Sequence, residues 1–179
     1  MKATSLLKQQ HRNTRRALTQ LAKSGEPGRE KLRAQMADEL VAHMAIEERI
    51  FYPTARRTVR KPELVEGSYE EHDVAKFSLI RLLQIPITDP TFEVKARVLK
   101  KLLDSHIKVE EEELFPMLER AMEEAELKRL GDEMKQLFDK TVEAGYEESL
   151  RDLQFESPLQ SSQQEPGSIR KTRAAEARA

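Results

Sequence analysis

Cysteine is absent from the 179 residues, which excludes disulfides, thiolate metal sites and cysteine nucleophiles together. Tryptophan is absent too. Aromatic content stops at three tyrosines and six phenylalanines, and the six glycines and eight prolines gather where turns are expected. Charge of one sign is also lacking: 31 basic residues face 32 acidic ones, for a net −1. No global basic field exists to draw nucleic acid or an anionic membrane surface. No apolar run approaches the length needed to span a bilayer, and the first residues lack the apolar core of a signal peptide. A cytoplasmic protein is the expectation.

What remains is a chain rich in Leu, Glu, Lys, Arg and Ala, a composition that favours helix nearly throughout. Apolar residues at helical spacing predict helices over about Thr4 to Lys23, Arg29 to Arg57, from Pro62 onward, and from Asp89-Pro90 to Pro116. Their inner faces carry Leu7, Leu18 and Leu21; Leu32, Met36, Leu40 and Ile50; Leu64, Tyr69, Leu79 and Leu83; Val94, Val98, Leu102 and Leu103. Pro53 is expected to kink or shorten the second helix. Four amphipathic helices with short connections imply an all-α, up-down-up-down four-helix bundle. The division expected is a bundle over residues 1–120, an additional helical segment over 121–150 and a solvated, disordered tail over 151–179. The extra helical pattern, about Met117 to Ala144, places Leu127, Leu130, Met134, Leu137 and Phe138 on one face, either to cap the bundle or to join a second copy. The oligomeric state expected is monomer or weak homo-oligomer.

The four histidines carry the chemistry. His43 and His106 each stand four residues before a glutamate, Glu47 and Glu110, so each pair lies on one face of its helix. In a chain this rich in glutamate, such spacing would arise by accident about one time in ten on its composition. The two segments run on alike, however, each with a second glutamate next and a proline ten residues after the histidine, Pro53 and Pro116. That is an internal repeat. Taking Ser24 to Gly28 and Ile85 to Pro90 as turns, His11 and His43 lie about 21 to 23 Å from the first turn at 1.5 Å per residue. His72 and His106 are similarly placed about the second. One imidazole per helix therefore meets at one level.

Four imidazoles and two carboxylates exceed what one tetrahedral zinc requires. They suit two octahedral-leaning ions, each with two terminal histidines from His11, His43, His72 and His106, with Glu47 and Glu110 bridging and an oxo or hydroxo group between. A nitrogen and oxygen set without sulfur suits iron, with manganese or zinc as substitutes. The Glu-x-x-His motif of ferritin-like bundles is missing, since the residues three before each histidine are Lys8, Leu40, Tyr69 and Leu103.

The ordered set His11, His43-x-x-x-Glu47, His72, His106-x-x-x-Glu110 resembles the hemerythrin-like, or HHE cation-binding, family over roughly the first 120 residues. The resemblance implies a non-haem di-iron bundle that meets small ligands such as O2, NO or peroxide. It also marks a departure. Oxygen-carrying hemerythrins have a second histidine four residues on in the third helix, where this chain has Lys76, and a carboxylate at the position of Glu111. Glu110 is the ligand expected here, with Glu111 as fallback, while Glu48 and Glu111 are expected on more exposed flanks. Tyr69 is a candidate to fill or hydrogen-bond the vacated position, Glu39 to orient His43, and Lys76 to lie along the surface. Three functions follow: a di-iron protein that binds or senses a small ligand or iron, a di-iron redox enzyme acting on peroxide or another small oxidant, or a metal-free helical scaffold.

Overall fold

The apolar stripes fold as helices, and the computed structural model describes them over residues 1–23 and 28–151. The expected Ser24 turn and nearly all of the expected tail fall outside the described residues. Helix α1 spans Ala3–Leu21 and α2 spans Arg29–Ile46; α2 continues through a π-helical turn, Glu47–Phe51, into α3, Tyr52–Thr58. Helix α4 spans Pro62–Leu83, with its proline in the first turn, where no N–H is needed. Helix α5, Phe92–Val109, likewise continues through a π turn, Glu110–Leu114, into α6, Phe115–Ala121. Helices α7, Glu124–Ala144, and α8, Tyr146–Ser149, follow. The architecture is an all-α bundle of four long rods with an additional C-terminal helix, as expected.

Two details differ from the expectation. Pro53 and Pro116 neither end nor shorten their rods. A proline in an α-helix lacks an N–H and crowds the carbonyl four residues back, and widening the preceding turn to an i→i−5 bond, Tyr52 N–H to the Glu47 carbonyl and Phe115 N–H to the Glu110 carbonyl, absorbs the conflict. The fourth rod consequently runs past Pro116 and breaks only at Met122 and Glu123, where Glu123 and Glu126 form a capping box that starts α7. The second difference is rotational. Val94 and Val98 are each half exposed, and α5 instead buries Phe92, Ala96, Leu99, Leu103 and Ile107.

Two apolar clusters fill the bundle. At the end bearing the hairpin turns, Leu18, Leu21, Leu40, Leu79, Phe92 and Leu99 pack together. At the other end Leu7, Ile46, Phe51, Val65, Phe115 and Leu118 do so, joined by Leu127, Leu130 and Met134 from α7. Helix α7 packs against α1 and α2. Its seat is close because Gly131 meets the backbone at the start of the chain; a Cβ there would overlap the Met1 carbonyl oxygen and stand 2.8 Å from the Ala3 nitrogen. Backbone cannot rotate aside as a side chain can. Gly131→Ala should therefore destabilise by about 1–3 kcal/mol through overpacking, read as a lower Tm. Gly67→Ala, in mid α4 with nothing within 4 Å of the added carbon, should stabilise by about 0.5–1 kcal/mol. Equal effects of the two would contradict the α7 docking.

Candidate metal centre

Between the two apolar clusters lies a polar layer. His11 stands four residues after Leu7 and seven before Leu18; His43 is seven after Met36; His72 is seven before Leu79; His106 is seven after Leu99. Each shares the buried stripe of its helix, and the four imidazoles are between 1% and 4% exposed. Glu47 and Glu110, the first residues of the two π turns, are fully buried among them. All six expected residues meet in one place.

Each ring is fixed from outside by a hydrogen bond at Nδ1. Glu111 Oε1 lies 2.8 Å from His11, Gln10 Oε1 2.9 Å from His43, Glu48 Oε1 2.8 Å from His72 and Glu71 Oε2 2.8 Å from His106. Four acceptors on four Nδ1 atoms select the tautomer in which Nδ1–H donates outward and the Nε2 lone pair points inward. The inner faces then confront one another. The imidazoles pair as His11 with His43, ring centroids 4.8 Å apart, and His72 with His106, 4.7 Å apart. Glu47 reaches into both pairs: its Oε2 is 3.1 Å from His43 Nε2 and 3.3 Å from His72 Nε2, while Oε1 is 3.9 Å from His11 Nε2. Glu110 Oε2 does the same, 3.3 Å from His11 Nε2 and 3.4 Å from His106 Nε2.

Almost every inward atom is an acceptor. His72 Nε2 and His106 Nε2 stand 3.2 Å apart, and the Tyr52 hydroxyl supplies a hydrogen, donating to Glu110 Oε1 at 2.9 Å and lying 3.0 Å from His72 Nε2. Both oxygens of Glu47, Oε2 of Glu110 and Nε2 of His11 are buried without a hydrogen-bond partner. Buried polar groups are rarely left so. The donor set fits a cation: His11, His43 and Glu47 form one group able to hold a metal ion, and Glu47, His72 and His106 form a second, with the ligand atoms of each within 4.8 Å of one another.

The proton affinities follow from the same crowding. Burial, then the charge of Glu110, pushes the Glu47 carboxyl well above the usual range. Burial, then neighbouring His11, keeps His43 well below the usual imidazole value, and burial outweighs Glu48 in lowering His72. His11 is raised: burial opposes its protonation, but its contacts with Glu110 and Glu111 prevail. The Tyr52 phenol is held neutral by burial and by both nearby carboxylates. Proton affinity is thus raised at Glu47 and His11, two of the groups whose inward atoms lack a partner.

The π turns explain which neighbours enter. In an α-helix, Tyr52 would sit some 140° around from Glu47, but a π turn brings the fifth residue back beneath the first. Tyr52 accordingly falls under Glu47 and into the layer. Its counterpart under Glu110 is Phe115, stacked on His11 at 5.8 Å and 11°. Tyr69, a candidate for the vacated position, instead donates to the Glu48 carbonyl at 3.0 Å, the group that Pro53 cannot serve in the i→i−5 register. Glu39 does not orient His43; it accepts from Gln35, and Gln10 takes the role. Glu48 and Glu111 are not idle flanks but the partners of His72 and His11, and Lys76 pairs with Glu48 at 2.8 Å. Tyr52, Gln10 and Glu71 escape a reading by α-helical spacing, and the shared proline ten residues after each histidine is the signal that could have found Tyr52.

Known proteins share the fold. Uncharacterised proteins of Mycobacterium tuberculosis and Mycobacterium bovis are 34% identical over 101 residues, 56% of this chain and 61% of theirs. The chain thus matches less than two thirds of the length of these relatives. The crystal structure of a hemerythrin HHE cation binding domain-containing protein from Mycobacterium kansasii shares the fold, with a TM-score of 0.71 at 23% identity over 84% of this chain and 93% of that one. A family model for the hemerythrin HHE cation binding domain matches residues 2–118. The polar layer between two apolar clusters is therefore set in a known frame: the chain belongs to the hemerythrin family of HHE cation-binding domains.

Proposed function

We propose that this chain is a non-haem di-iron protein that binds or senses a small ligand such as O2, NO or peroxide. The observation that carries the reading is the hydrogen-poor layer, in which inward imidazole nitrogens and carboxylate oxygens face one another with few hydrogens between them. A metal-free scaffold would bear buried carboxylates and lone pairs that only proton uptake could relieve, and only in part, at a cost of several kcal/mol. Cations remove that cost.

The pairing of the rings favours two ions over one. His11 and His43 would hold the first, His72 and His106 the second, and the carboxylates of Glu47 and Glu110, each in contact with both pairs, would bridge them. Nitrogen and oxygen donors without sulfur suit iron, with manganese or zinc as substitutes. Bound iron would supply redox and Lewis-acid chemistry to a small ligand. The chain's own residues do the rest. Glu48, Glu71, Glu111 and Gln10 hold the imidazoles in register, Tyr52 keeps a proton against Glu110 Oε1, and the apolar clusters above and below keep out water.

Metal analysis after anaerobic reconstitution should give about two iron ions per chain, and chelation should lower the Tm clearly. One zinc per chain, or identical melting curves with and without metal, would remove the reading. Glu47→Ala and Glu110→Ala should each lose metal. Glu111→Ala, which removes only the outer partner of His11, should retain most iron at about 10- to 100-fold weaker affinity. An empty Glu111→Ala protein beside a loaded Glu110→Ala would reverse the assignment. Because Glu47 and His11 carry raised proton affinity in the metal-free protein, cations and protons compete for the same atoms. Titrations in buffers of different ionisation enthalpy should therefore report net proton release, and binding should weaken as pH falls; proton uptake on binding would contradict the site's electrostatics.

A further inference from the structure

The centre is not covered equally on all sides. On one side stand the aromatic rings of Phe51, Tyr52 and Phe115. Behind three of the imidazoles stand the carboxylates Glu48, Glu71 and Glu111. Behind His43 stands the neutral amide of Gln10, and Gln10 also forms part of the wall of a cavity of about 440 Å³ that lies between α1, α2 and α7 and is open to solvent. Leu6, Gly131 and Phe138 supply apolar lining, Glu39, Asp132, Lys135 and Asn13 supply polar lining, and Thr14 is the residue of the wall that also borders the centre.

A second, inner space touches the centre itself. It is bounded by all four histidines, by Thr14, and by an aliphatic floor including Leu40, Met44 and Leu103, and it is too tight to admit a water molecule as it stands. Thr14, one turn beyond Gln10 on α1 and 6% exposed, borders both spaces. Two neighbouring side chains of α1, Gln10 and Thr14, therefore stand between the outer cavity and the imidazoles, and of these Thr14 also borders the inner space.

We propose that the cavity between α1, α2 and α7 is the vestibule through which small neutral molecules of diatomic size reach the centre, with Thr14 as its inner gate. The inference rests on the di-iron reading and goes beyond it by naming the route. A narrow inner space lined by Leu40, Met44, Leu103 and Ile107 beside the imidazoles favours a neutral molecule, because an anion would have to shed its hydration to enter. Passage here calls for displacement of Thr14 and a small widening of the aliphatic floor, whereas the backs of the other three imidazoles are occupied by hydrogen-bonded carboxylates. It also gives α7 a function beyond packing, since that helix forms the outer wall.

The test is the rate of nitric oxide binding to the iron-loaded, reduced protein, followed by absorbance in a rapid-mixing experiment. Asn13→Trp, an exposed residue at the vestibule, should slow binding by about tenfold with iron content, Tm and the final spectrum unchanged. Lys140→Trp, exposed on α7 and away from the cavity lining, should bind at the wild-type rate. Thr14→Ala should open the gate and accelerate binding, so a folding defect in one variant does not protect the proposal. Normal iron loading with wild-type rates in both Asn13→Trp and Thr14→Ala would overturn the route alone. A wild-type chain that takes up no iron would overturn the route and the di-iron reading together.

Discussion

Two carboxylates, Glu47 and Glu110, lie fully buried in one layer with four inward-facing imidazoles, and the rest of the molecule is arranged around that constraint. A buried ion left unpaired costs several kcal/mol, a large fraction of the 5–15 kcal/mol that holds a typical domain folded. The apolar clusters on either side supply the burial that tolerates it. They also make it worse, since a layer open to water would be solvated. Fold and centre are consequently one energetic problem: the helices hold the charge out of water, and the charge calls for a cation.

The π turns are the backbone device that makes the layer possible. Each begins at a buried glutamate and ends just before the proline-bearing turn of the next helix, so each rod gains one extra residue without stopping. The added residue turns the fifth position inward. In one half that position is Tyr52, which brings a hydrogen to Glu110 beside His72; in the other it is Phe115, which brings an apolar face to His11. The repeat is thus symmetric in backbone and asymmetric in chemistry. Outside the rings the same asymmetry recurs, with carboxylates behind three histidines and an amide behind His43. A carboxylate partner makes an imidazole a stronger donor than an amide does, so the two halves would not treat two ions alike.

How much of this could be read from residues alone depends on which spacing governed each position. The histidines, Glu47 and Glu110 obey α-helical periodicity up to the first residue of each π turn, so their convergence was legible from distances to the hairpin turns. Tyr52 lies past that point, where a count of 3.6 residues per turn fails, and Tyr69 looked better placed because α4 remains regular. Val94 and Val98 satisfy a four-residue spacing, but the stripe through Ala96, Leu99, Leu103 and His106 fits the bundle face, and β-branched character does not tell inside from outside. Glu71 and Gln10 orient histidines on neighbouring helices. Such contacts depend on helix rotation and approach, which one helix's sequence does not encode. The break before α7 was readable in principle from the capping pair Glu123 and Glu126, but Pro116 is the stronger stop signal in an α-helix and becomes harmless only after a π turn.

The three outer carboxylates give the centre a link to solvent without opening it. The side chains of Glu48, Glu71 and Glu111 are 24%, 42% and 28% exposed, while the imidazoles they hold are buried. Their charges are partly screened by water and salt, whereas Glu47 is deprived of water and its carboxyl is pushed well above the usual range. For Glu48 the hydrogen bond from His72 and the nearby Lys76 outweigh partial burial and keep the carboxyl below its usual range; for Glu111 the hydrogen bond from His11 does so. Negative charge is thereby held one imidazole away from the buried layer, near enough to fix each ring's tautomer but still hydrated. Ligand basicity comes from the partly wet carboxylates, whereas the dry interior supplies acceptors whose lone pairs have no other partner.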